Sequence, residues 1–152
     1  MALIGHRISK QKKVDGMDLE THLALAQRWD VTLSKIDPQE DHTAAIEICM
    51  MMGTTLLNAI FHKRGIREEA YDQNHTTRPP IPPEAEARIT PDVRAIMDNL
   101  HYVEQMRGLH CRGITGKIRD ARDLPEWNPE VSMRCITIIR DMQAFTEQVM
   151  DE

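Results

Sequence analysis

The stretch Ala44-Ala-Ile-Glu-Ile-Cys-Met-Met-Met-Gly-Thr-Thr-Leu-Leu-Asn-Ala-Ile-Phe61 decides the fold. With Glu47 and Asn58 inside it, the run is too short and too polar for a membrane span. It is apolar around much of its circumference, so as a helix it must be covered by other elements on several sides. Residues 38–64 are therefore expected to form the most buried helix, with Gly65 ending it in a left-handed C-cap.

Working outward, three further helices follow from periodicity. Residues 18–36 carry Leu19, Leu23, Ala26, Trp29, Leu33 and Ile36 at steps of three and four. Residues 91–107 place Val93, Ile96, Met97, Leu100 and Val103 inward, with Gly108 at their end. Residues 129–150 carry Val131, Cys135, Ile138, Met142, Phe145 and Val149. Asp37-Pro38, Thr90-Pro91 and Asn128-Pro129 each set a capping oxygen before a proline, whose missing N–H costs nothing in a first turn. Glu40 stands three residues after Asp37, as a capping box requires.

No run alternates as a half-buried strand does. Four amphipathic helices bury their stripes against one another, so the fold is an all-α four-helix bundle spanning residues 1–152 as one domain, with two long loops. The helices are expected to run up-and-down, which puts Glu47 at the end of the bundle that holds His101, Glu104 and Arg107, and His62 near Arg94. If residues 66–89 instead crossed the bundle, the second and third helices would run parallel and His62 would approach His101. That connection holds Arg78-Pro-Pro-Ile-Pro-Pro83, a short polyproline II segment, after a helical turn expected at residues 67–71.

Aromatic residues are 4% of the chain while methionines number ten, so flexible thioether side chains fill the core in place of rings. A net charge of −5 argues against a general nucleic-acid binder. Cys49, Cys111 and Cys135 lack paired spacing and read as reduced residues of a cytoplasmic protein. Residues 1–15, with Lys10, Lys12 and Lys13 and no following apolar run, read as a flexible basic arm and not as a secretory signal.

Candidate chemistry falls in four places. Glu47, Thr54, Asn58 and His62 form a polar line on the second helix, expected to face solvent, with a buried network or a ligand site as the alternatives. His62, His101 and Glu104 are the residues a metal-binding bundle would use, but His101-Tyr-Val-Glu104 reverses the order of a di-iron motif and occurs once, so no metal or other cofactor is expected. Gly113-Ile-Thr-Gly-Lys117 lacks the first glycine and the final hydroxyl of a phosphate loop, which leaves a locally basic loop with Arg107 and Arg112 beside it.

The fourth is Arg94 with His101, seven residues apart on one helical face. A guanidinium and an imidazole so placed suit phosphodiester cleavage, the ring moving a proton and the arginine holding developing charge. This spacing, with Leu57-Asn-Ala59, His62 and Gly65, resembles that of the HEPN family over residues 38–107. The resemblance implies a small helical bundle acting as an RNase or a nucleotide-binding partner, with Arg94 and His101 catalytic. The residue after the arginine is Ala95, where the family usually has a polar one.

Two readings of function stand side by side. In the leading one the chain is a non-catalytic helical interaction or accessory protein, a homodimer that binds a protein partner and no membrane, supported by the apolar second helix and the methionines 50–52. In the other it is a HEPN-like enzyme or nucleotide-binding protein, with Glu47, Asn58, His62, Glu104, Arg107 and Arg112 as ligand-binding candidates.

Overall fold

The computed structural model describes residues 17–67, 81, 83–112 and 128–152. The expected basic arm, the helical turn at 67–71, most of the proline segment, and Gly113, Gly116 and Lys117 lie wholly or mainly outside these residues. The described chain is all-α: α1 (Leu19–Leu33), α2 (His42–Lys63), a 3₁₀ turn (Pro83–Arg88), α3 (Pro91–His110) and α4 (Pro129–Met150).

α2 packs against α1, α3 and α4, and α3 also packs against α4. Every residue from Met52 to Phe61 is buried, as a helix enclosed on all sides requires. Cross-helix contacts fix the directions. Glu47, early in α2, meets Arg107, late in α3, while Arg64 after α2 meets Asp92 at the start of α3. Arg64 also meets Glu152 beyond α4, and Ser132 near the start of α4 bonds the carbonyl of Pro38. His22 of α1 lies against His62 of α2. Each helix therefore runs antiparallel to the one before it, the expected up-and-down order.

Local chemistry explains the boundaries. Asp18 accepts from the Thr21 amide at 2.7 Å and starts α1; Asn128 accepts from Glu130 at 3.0 Å and starts α4. α2 ends as expected: Gly65 has φ +67°, the Ile66 amide bonds Phe61 O, and the Gly65 amide bonds His62 O, which together form a Schellman motif.

Three boundaries differ from expectation. α1 ends at Leu33, where the Ser34 hydroxyl donates to Val31 O and the Ser34 amide to Asp30 O. α2 starts at His42 and not Pro38, because Asp37 accepts from Gln39 in a separate turn. The Pro38 carbonyl, which a helix would offer to His42, is taken by Ser132. α3 runs through Gly108 to His110, since its buried stripe continues from Val103 to Arg107 and His110. Thr90 precedes α3 without capping it; its hydroxyl donates to Asp92, and Asp92 accepts the Val93 amide.

Candidate functional site

Polar chemistry collects at the two ends of α2. At its start, the Glu47 carboxylate lies between two guanidinium groups. Arg107 Nε donates to Oε2 at 3.0 Å; Arg112 Nε donates to Oε1 at 3.0 Å, with a second bond to Oε2 at 3.4 Å. Arg107 is nearly enclosed while Arg112 is mostly in water. The hydrogen bond to Glu47 raises the Arg112 pKa further. His110 is buried beside them, and burial, then the neighbouring His42, pushes its pKa down and favours the neutral ring. Burial, then the Glu47 charge, pushes the Cys111 thiol up to about 12, and its S–H points to Thr43 O at 3.6 Å.

At the other end, His22 is completely buried against His62, ring centroids 5.2 Å apart. His62 Nδ1 lies 2.8 Å from Arg67 O. Asn58, one helical turn back from His62, is 2% exposed, and its Nδ2 has no hydrogen-bond partner among the described residues. Arg64 closes this end: it is bidentate to Glu152, reaches Asp92 and Thr90, and lies over the Phe145 ring.

Thus Glu47, Arg107 and Arg112, separate candidates in the sequence, form one cluster. Asn58 and His62 share a line at the opposite end. The expected solvent-facing line on α2 is corrected: Thr54 and Asn58 are buried, and Glu47 and His62 are half-buried. Thr54 tolerates this because its hydroxyl bonds the carbonyls of Met50 and Met51 within its own helix.

Arg94 and His101 lie on α3, each a little under half exposed at the side chain. Arg94 is paired with Glu86 of the 3₁₀ turn, and His101 Nδ1 lies 3.6 Å from Glu104. Among the described residues no hydrogen bond or ion pair joins them. His62 sits at the far end of the bundle from Glu104, and no three metal-ligating side chains converge among the described residues. The thiols of Cys49 and Cys135 are free and buried; burial raises both, that of Cys135 to about 12, so neither is a ready nucleophile.

Sequence reasoning missed His22, whose signal was available: His22, Ala26, Trp29 and Leu33 follow steps of four, three and four. The helix is turned to bury His22, Ala26 and Leu33, leaving Trp29, Leu19 and Leu23 half-buried. It also missed Arg64 and the bridge from Asp30 of α1 to Arg140 and Gln143 of α4.

α2 is long and apolar enough to cross a membrane, and most of it is enclosed by the bundle. No protein-family model, curated protein or solved structure matches this chain.

Proposed function

We propose that this protein is a helical interaction or accessory module that works as a homodimer. The observation carrying this reading is where the charged groups go. The ties Glu47–Arg107, Arg64–Asp92, Arg64–Glu152 and Asp30–Arg140 each join one element of the bundle to another. Such ties build a rigid body, on which binding is a property of surface.

The binding surface is not α2: Met50 and Met52 are fully buried and Met51 half-buried, so the methionine cluster expected to meet a partner is used inside the bundle. Among the described residues, the large apolar side chains most open to water are Val31 on α1 and Met133 on α4. Both flank the Asp30–Arg140 bridge, Val31 next to Asp30 and Met133 two turns along the helix from Arg140. We assign the self-association face to this side, where a second copy would cover both residues.

Sedimentation velocity at micromolar concentration tests the reading. A dimer is expected, and Val31→Glu with Met133→Glu is expected to weaken it by tenfold or more, about 1.4 kcal/mol. A native protein that sediments as a monomer throughout contradicts it.

A further inference from the structure

α1 and α4 both lie on α2, yet their own backbones barely approach each other. A closed ring of three hydrogen bonds joins them at the surface. Arg140 Nη1 donates to Asp30 Oδ1 and, at 2.7 Å, to Gln143 Oε1; Gln143 Nε2 donates to Asp30 Oδ2 at 3.1 Å. Both carboxylate oxygens and both ends of the amide are occupied, so the three side chains are held to one geometry. Burial raises the Asp30 carboxyl, but the hydrogen bonds from Arg140 and Gln143 outweigh it and keep its pKa below the usual value. The bridge therefore stays charged at neutral pH.

The ring stands on the face assigned above to a second copy. Val31 follows Asp30 directly, and Met133 precedes Arg140 by two helical turns. Arg140 also lies at the middle of α4 (Pro129–Met150). An isologous contact sets a patch against its own copy, and a group near the two-fold axis meets itself. An unpaired guanidinium there would face a second guanidinium as water leaves, which is costly. Asp30 cancels that charge within each protomer.

We propose that Asp30, Arg140 and Gln143 are the specificity-determining residues of the self-association face, admitting a second copy by presenting a neutral, fixed bridge between α1 and α4. The proposal rests on the dimer reading above. In the free chain water still reaches the bridge, Arg140 being 43% exposed at its side chain, so it contributes little to folding. Covered by a second copy it loses that water, and any charge left single is then held in an apolar contact. Association is therefore more sensitive to the bridge than folding is.

Sedimentation velocity at micromolar concentration, paired with urea denaturation of the dilute, monomeric chain, separates the two. Asp30→Asn leaves the Arg140 charge single and is expected to weaken the dimer about tenfold or more, with the urea midpoint nearly unchanged. Arg140→Gln leaves the carboxylate single and is expected to do the same. The two changes together leave no single charge and are expected to bring association back to within about threefold of the native chain. Three results overturn this proposal alone: a native dimer indifferent to both single changes, a double variant that associates no better than they do, or losses in folding as large as those in association. A native monomer removes the dimer reading and the proposal together.

Discussion

Glu47 is the residue whose placement says most about how this chain uses charge. Its carboxylate is half-buried and neutralised by Arg107 and Arg112, so replacing it removes the counter-charge that α2 offers the enclosed Arg107. Glu47→Gln is expected to cost about 1–3 kcal/mol in urea denaturation, less than a fully buried pair because water still reaches the carboxylate. Combined with Arg107→Gln in a double-mutant cycle, it should show coupling of at least about 1 kcal/mol. Coupling near zero would mean that the contact is incidental to stability. Each member of this cluster was visible as a candidate in the sequence, but their meeting was not, since it depends on helix direction. His22 was hidden for another reason: Leu19 and Leu23 suggested a rotation of α1 that packing did not adopt.

At the scale of the element, proline-led starts and periodic stripes made the helices legible, and their ends were decided by partners distant in sequence. Ser132 takes the Pro38 carbonyl and so delays α2; Glu47 draws Arg107 inward and so carries α3 through Gly108. Gly53 marks a close approach of α2 to α3 and α4. A Cβ there would lie 2.3 Å from Leu100 Cδ1 and 3.1 Å from Ile139 Cδ1. Alanine gains about 1 kcal/mol in helix propensity against that crowding, so its net effect is small. Gly53→Leu has no such offset and is expected to lower stability by more than about 2 kcal/mol, read as a fall in the urea midpoint. An unchanged midpoint would show that the three helices do not meet at Gly53.

For the whole molecule, the central claim is that three helices enclose α2 in up-and-down order. That order joins Glu47 to Arg107 at one end and sets His22 on His62 at the other, so both polar clusters depend on it. The apolar circumference of residues 44–61 announced an enclosed helix, while the choice between an antiparallel and a crossing connection was open until the cross-helix pairs were known. The most direct test is a spin-label distance between Thr43→Cys and Arg112→Cys in a Cys111→Ser background. In the order described here both labels sit at the same end of the bundle, within about 20 Å. A parallel α2–α3 pair would separate them by the length of a twenty-residue helix, about 30 Å or more, and that result would contradict the account.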